Sequence, residues 1–208
     1  RDASLARSSA SAHRWFLDQL VTLRDDERTR LGYITRIALD ADGTLAANAS
    51  GGDLVLQNFS STNALTVNSV IANNTSASSL TVSGTGTTIV TASNTYTGGT
   101  FISGGTLQIG NGGTTGSLST SSTITTNATL AFNQTDTVTQ GTDFNSVIGG
   151  TGGVTQSGSG TLVLNGANTY SGVTKFDAGI VNVANMTNYG VAGSLGNRAL
   201  SSESVTNI

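Results

Sequence analysis

The sequence predicts an all-β fold in which short strands wind into stacked coils of a β-solenoid, preceded by one amphipathic α-helix. Two observations predict it: an internal repeat, and short apolar-alternating runs bracketed by glycines. Asn168-Thr169-Tyr170 repeats Asn94-Thr95-Tyr96 at an offset of 74 in residue number, and glycines meet glycines on both sides without a gap. About three coils of roughly 25 residues would fill this offset.

The repeat also predicts which residues shape the coil. Each apolar run is long enough for a strand and too short for a helix. A single coil cannot bury its own apolar face, so coils must stack and fill a shared lumen. We predict the structural lumen residues as Leu107, Ile109, Leu162, Leu164, Val181 and Val183. Glycines that supply positive φ at the corners are predicted at Gly98, Gly105, Gly172 and Gly179.

The N-terminal stretch, from Arg1 to Asp42, reads as a separate, charged segment. It holds 14 of the 21 formal charges of the chain, which places a domain boundary near Asp40–Gly43. Ser8–Leu31 is predicted as an amphipathic helix that ends at Gly32. Its possible docking face is made of Trp15, Phe16, Leu20 and Leu23. The helix either caps the open end of the solenoid or serves as an assembly element that binds a partner.

The strands follow in chain order. Tyr33–Leu39 is the predicted first strand. Residues 43–208 form the predicted solenoid domain, with its clearest repeats at 82–110 and 156–184. Turns rich in Thr, Ser, Asn and Gly separate the runs. The predicted strand cores are Leu54–Leu56, Leu65–Val67, Leu80–Val82, Ile89–Val90, Phe101–Ile102, Leu107–Ile109, Ile124, Leu130–Phe132, Val147–Ile148, Val154, Thr161–Leu164, Thr174–Phe176 and Ile180–Val183, with Leu200–Ile208 as one further strand.

Composition argues against several functional classes. The net charge is −3, so neither nucleic acid nor an anionic membrane surface is a predicted partner. The chain has no Cys, which excludes a His/Cys metal site. No apolar run approaches the length of a transmembrane helix, and the first residues lack the apolar core of a signal peptide. We predict no cofactor and no membrane insertion by this segment.

The sequence resembles a known repeat family. Gly160-Thr161-Leu162-Val163-Leu164-Asn165-Gly166-Ala167-Asn168-Thr169-Tyr170-Ser171-Gly172 resembles the passenger-associated transport repeat of bacterial autotransporters, also called the autotransporter-associated β-strand repeat. The upstream copy from Ala92 to Ile109 is similar, although Thr88-Ile89-Val90 stands before it where the second copy has Leu162-Val163-Leu164. The resemblance implies a right-handed parallel β-helix, type V export through a bacterial outer membrane, and an extracellular or surface location. It also implies a role in secretion and folding of a passenger stalk.

Few residues suggest chemistry. His13, the one histidine, lies on the predicted helix without a G-x-S-x-G motif and is interpreted as a solvated residue. Asp40, Asp42 and Asp53 form at best part of a Ca²⁺ loop, and a plain turn explains them better. The candidates for the two catalytic carboxylates of a glycosidase are Asp136, Asp143 and Asp177. No clustered aromatic residues accompany them, which favours their interpretation as isolated surface acids.

The predicted function is therefore structural and non-enzymatic: an extracellular module of an adhesin-type autotransporter stalk. The alternative is a self-assembling filament subunit, joined end to end by a strand of Leu200–Ile208 or by the Ser8–Leu31 helix. A weaker alternative is a carbohydrate-active β-helix. Possible partners are further copies of the chain and a host-surface or matrix ligand.

Overall fold

The chain folds into a parallel β-solenoid of about six turns, as a computed structural model shows. The structure describes residues 34–35, 38–39, 44–47, 52–145 and 147–197. All regular elements in these ranges are strands, and none is a helix. The helix predicted at Ser8–Leu31 and the strand predicted at Leu200–Ile208 lie outside the described residues.

Seventeen short strands make up the described fold. Alternating apolar residues between glycine-containing turns account for most of them. In chain order they are β1 (Ile34–Thr35), β2 (Ala38–Leu39), β3 (Leu45–Ala46), β4 (Gly52–Asn58), β5 (Leu65–Val67), β6 (Ser78–Gly84), β7 (Thr87–Val90), β8 (Thr100–Ile102), β9 (Thr106–Gly113), β10 (Ile124–Thr126), β11 (Thr129–Gln134), β12 (Thr137–Thr139), β13 (Ile148–Gly149), β14 (Gly153–Gln156), β15 (Thr161–Leu164), β16 (Thr174–Phe176) and β17 (Ile180–Val183).

Three sheets form the faces of the solenoid. The first sheet has the order β1-β4-β6-β8-β10-β13, the second β16-β14-β11-β9-β7-β5, and the third β12-β15-β17. From β4 onward every strand pair in them is parallel. The predicted parallel solenoid is confirmed, whereas the right-handed winding that the family resemblance implies stays a prediction.

The core is the lumen between the three faces. Strand β4 shows the pattern, because its burial alternates and leaves Leu54 and Leu56 almost fully buried. The next coil places Leu80 and Val82 in register with them. Since successive side chains of a strand point to opposite faces, the inward set of each coil stacks on the set below. The lumen is therefore a continuous column of aliphatic and aromatic side chains.

The N-terminal end departs from the parallel pattern. The predicted strand Tyr33–Leu39 is wrong as one element, because β1 pairs antiparallel with β4 while β2 pairs antiparallel with β3. The antiparallel strand β1 covers the edge of β4, which would otherwise expose unpaired backbone groups.

The offset of 74 between the two copies does not correspond to a whole number of turns. Within the first sheet, three turns separate Leu80 from Ile148. A residue at the full offset of 74 lies on the next sheet instead of on the same one. Strands β7 and β9 of the second sheet match β15 and β17 of the third, and β8 of the first sheet matches β16 of the second. The expectation that three turns of roughly 25 residues fill the offset needs this correction.

Candidate functional site

The site that the repeat builds is a corner at which one asparagine joins three consecutive coils. Asn94 is 5% exposed, and its Oδ1 accepts a hydrogen bond of 2.8 Å from the backbone N–H of Ile71 in the preceding coil. Its Nδ2 donates to the carbonyl oxygen of Ser117 in the following coil at 2.7 Å. The amide therefore satisfies two backbone groups that the corner takes out of the regular ladder.

The second copy repeats this arrangement on another face. Asn168 is 0% exposed and accepts from the backbone N–H of Ile148 at 2.8 Å. It donates to the carbonyl oxygen of Ser194 at 2.9 Å. The N–H groups of the two residues after each asparagine also reach one carbonyl of the preceding coil, at Ile71 in the first copy and Ile148 in the second. Asn94 and Asn168 therefore occupy alike settings in the two copies.

A buried tyrosine completes each corner. The hydroxyl of Tyr96 lies 2.6 Å from that of Thr100, and Tyr170 and Thr174 have the same separation. Both rings are 0% exposed. Burial raises the pKa of Tyr96 to about 12, although hydrogen bonds with Thr100 and Ser122 oppose the shift. Tyr96 therefore stays neutral at any ordinary pH, and its hydroxyl links the corner to Thr100 at the start of β8.

All four predicted corner glycines allow close approach between coils, and two of them also adopt a positive φ. Gly105 and Gly179 have φ of 67° and 64°, a region that residues with a side chain rarely adopt. Gly98 and Gly172 are not among the glycines with positive φ, so that part of the prediction is wrong for them. A Cβ at Gly98 would lie 2.5 Å from the carbonyl oxygen of Ser78, and one at Gly172 would overlap the backbone of Gly152. Their role is close approach between coils.

The predicted lumen residues divide by position along the stack. Leu107, Ile109, Leu162 and Leu164 are at most 1% exposed. Val181 and Val183 pack against the core but are only partly buried. They lie on β17, beyond which no described strand continues the third sheet.

Three buried glutamines were not predicted. Gln140 exchanges side-chain hydrogen bonds with Asn168 at 2.6 and 3.2 Å and receives one from the backbone N–H of Gly166. Gln134 and Gln156 are 4% and 3% exposed, and their Nε2 groups donate to carbonyls of glycines in the turns. Gln134 and Gln156 each end a strand just before a turn, which is the one signal that could have found them.

The described acids form no common site. Asp53 accepts a hydrogen bond from Thr81, Asp143 accepts one from the backbone of Thr139, and Asp177 pairs with Lys175 at 2.9 Å. Asp136 is exposed. Among the described residues no group of three or more potential metal-binding side chains occurs. His13, Asp40, Asp42 and the face made of Trp15, Phe16, Leu20 and Leu23 lie outside the described residues.

The part of the chain that the structure describes also contains no helix suited in length and hydropathy to cross a membrane.

Comparison with known proteins finds a known repeat family in the two segments that contain these corners. The model of the passenger-associated transport repeat matches residues 80–109 and 154–183. The "Adhesin BmaC autotransporter" of Brucella suis biovar 1 (strain 1330) is 48% identical over 48 residues, which are 23% of this chain and 1% of that protein. The chain thus spans only about a hundredth of this relative. No solved structure matches the chain.

The two matched segments coincide with the strands around the two corners: β6 to β9 in the first copy and β14 to β17 in the second. The prediction that this chain carries passenger-associated transport repeats, the repeats of autotransporter passengers, is confirmed.

Proposed function

We propose that this chain is a structural, non-enzymatic module of an autotransporter passenger, located outside the cell or on its surface. In this proposal it forms part of an adhesin-type stalk. The observation that carries it is the identical strand register of the two repeats. Leu80 pairs with Thr100 and Thr87 with Thr106, and the corresponding residues of the second copy pair in the same way. The repeated residues are thus used for stacking coils.

Stacking is also what the side chains of the repeat support chemically. The spacing shared by the two copies places amide, hydroxyl and aliphatic groups inward, where they hold backbone and lumen. The outward face is rich in Thr and Asn, which form hydrogen bonds between neighbouring coils, as Asn73 does with Thr97. Such hydrogen bonds help to keep neighbouring coils aligned.

Intact-cell labelling of the natural, full-length protein tests the location and the stacking role together. Antibodies against this chain should stain intact bacteria. Asn94→Ala combined with Asn168→Ala should lower the surface signal several-fold at equal total protein, because a poorly stacked module folds less well outside the cell. The exposed Asn68→Ala is the matched control. Staining that requires cell lysis, or an unchanged signal in the double variant, would contradict the proposal.

A second candidate is a self-assembling subunit, favoured by the apolar surface at the C-terminal end of the described solenoid. Among the described residues nine large hydrophobic side chains are exposed, and six of them lie there: Val173, Phe176, Ile180, Met186, Tyr189 and Val191. Strands β16 and β17 end their sheets among the described residues. Exposed apolar strand edges favour pairing with another chain.

Electron microscopy and light scattering of the purified chain distinguish the two candidates. A filament subunit should give fibres whose length grows with protein concentration. Phe176→Lys with Ile180→Lys should abolish them, while Lys175→Glu on the same edge strand serves as the charge control. Monodisperse monomers at high concentration exclude the second candidate and leave the first unchanged.

A further inference from the structure

Each repeat contains two complete pairs of hydrogen-bonded parallel strands. In the first repeat β6 pairs with β8 and β7 pairs with β9, so residues 80–109 hold all four paired segments. In the second repeat β14 pairs with β16 and β15 pairs with β17. A repeat is therefore one complete turn of the solenoid together with the strands on which that turn closes.

The turn inside a repeat is also shorter than the other turns. Paired residues in the repeats are 20 apart, as for Leu80 and Thr100, or 19 apart, as for Thr87 and Thr106. In the other parallel strand pairs the residue numbers of regular partners differ by 23 to 26, with Leu54 and Leu80 at the upper limit. Contacts between residues that are closer in sequence form with less loss of chain entropy.

Two interactions of the connecting corner lie within the repeat. The Tyr96–Thr100 hydroxyl pair lies within one corner, and the same pair recurs at Tyr170 and Thr174. Gly105 then sets the turn into the last strand, where the N–H of Thr106 meets the carbonyl of Gly86 inside the same repeat. The same corner also bonds outside the repeat, since the N–H of Tyr96 donates to the carbonyl of Ile71 and the Thr100 hydroxyl lies 2.7 Å from that of Ser122.

The side chain of the asparagine forms hydrogen bonds with the coils on both sides of the repeat. Asn94 binds Ile71 and Ser117, which lie before and after residues 80–109. Asn168 likewise binds Ile148 and Ser194, outside residues 154–183. We infer that each repeat folds first as a self-paired turn, and that its asparagine then captures the backbone of the coil on either side.

This inference deepens the proposed function, on which its biological meaning rests, by naming the folding start points of the stalk. Solenoids fold by nucleation followed by addition of neighbouring units, so a start point sets the order of coil addition. The order can be measured on the purified chain without export. Failure of the inference therefore leaves the proposed location and stalk role untouched, and the cell-labelling experiment tests those separately.

Pulsed hydrogen exchange during refolding of the full chain from denaturant tests the order directly. Amides of β6–β9 and β14–β17 should gain protection in the first phase, and those of β10–β13 in a later one. Simultaneous protection, or earlier protection of β10–β13, would overturn the inference.

Refolding kinetics supply an independent test with matched variants. Leu107→Ala with Leu162→Ala truncates one buried leucine in each repeat, and Leu54→Ala with Leu130→Ala truncates two equally buried leucines outside the repeats. The first pair should slow refolding at least tenfold, because it weakens both start points. The second should leave the refolding rate within about twofold and accelerate unfolding. The inference is wrong if the second pair slows refolding as much as the first.

Discussion

At the scale of single residues, the corner asparagine is a side chain that replaces missing ladder bonds. Its amide offers an acceptor and two donors at fixed geometry. Asn94 uses them on backbone groups 23 residues away in either direction. Burial makes these bonds important, because an unsatisfied backbone group in the interior costs more than the bond itself contributes.

Replacing this amide should destabilise the fold measurably. Asn94→Ala leaves the buried N–H of Ile71 without its partner, so we expect a loss of about 1–3 kcal/mol in the free energy of unfolding. Urea denaturation followed by circular dichroism measures it. The control is Asn68→Ala, which removes an exposed acceptor of a hydrogen bond from the Thr91 hydroxyl and should change stability by less than about 0.5 kcal/mol. Equal losses in both variants would remove the special role of the corner.

Tyr96 predicts a loss of stability at alkaline pH. Its pKa is about 12 in the folded state against an ordinary value of 10.0, so the unfolded chain releases this proton first. The free energy of unfolding should be unaffected by this group below pH 10 and should fall by about 2–3 kcal/mol between pH 10 and 12. Tyr96→Phe should lack this part of the decrease in pH-dependent urea denaturation. Parallel curves for the parent and Tyr96→Phe across this range would refute the assignment.

Residue roles were only partly predictable from the sequence. The constant offset aligned Asn94 with Asn168, but the bonds to Ile71 and Ser117 depend on which coils lie above and below. No sequence pattern within a strand indicates which coils will be its neighbours. The Gln140 pair with Asn168 was missed for the same reason, since 28 residues separate them.

At the scale of elements, two kinds of glycine shape the turn. Gly105 combines a positive φ with close approach, because a Cβ there would meet the carbonyl oxygen of Gly86 in the coil below. Gly112 has a similar φ of 77° but nothing within 4 Å of an added Cβ. Comparing substitutions at these two positions therefore distinguishes the cost of the backbone conformation from the cost of steric contact between coils.

This difference gives a matched pair of substitutions. Gly112→Ala should cost about 1 kcal/mol, the usual penalty of a side chain at positive φ. Gly105→Ala should cost about 3 kcal/mol or more, because the coils must also move apart to admit the methyl group. Thermal unfolding of both variants measures the difference. Similar midpoints would mean that contact between coils does not limit this corner.

Most strands were predictable because period-2 alternation and flanking glycines mark them locally. Strand β12 (Thr137–Thr139) was missed, since its one apolar residue, Val138, sits between threonines. Strands β1 and β2 were merged into one prediction because YITRIAL is largely apolar. Their antiparallel pairing depends on β4 and β3, which lie elsewhere in the sequence.

At the scale of the whole molecule, each coil touches only its neighbours, so energetic coupling should be short-ranged. Leu107 and Leu130 are register partners on adjacent coils, whereas Leu54 and Leu162 are on distant ones. Double-mutant cycles with alanine should give at least about 0.5 kcal/mol of coupling for the first pair and additive effects within about 0.5 kcal/mol for the second. Strong coupling of the distant pair would indicate a single indivisible core.

The solenoid class could be predicted from the sequence, but the relation of the repeat to the winding could not. The offset between Asn94 and Asn168 says that two local settings match. The number of turns between them depends on each coil length, and the short and long coils are not distinguishable from glycine spacing alone.

The one-face step between the copies has a mechanical consequence. Because the turn inside a repeat has fewer residues than the other turns, we expect it to bend the stack slightly towards the side that lacks them. If every copy stood on the same face, these small bends would add and the molecule would curve like a bow. Because the second copy is rotated by one face, a third copy at the same interval would complete the circuit, and the bends would cancel into a straight column with no preferred direction of flexing.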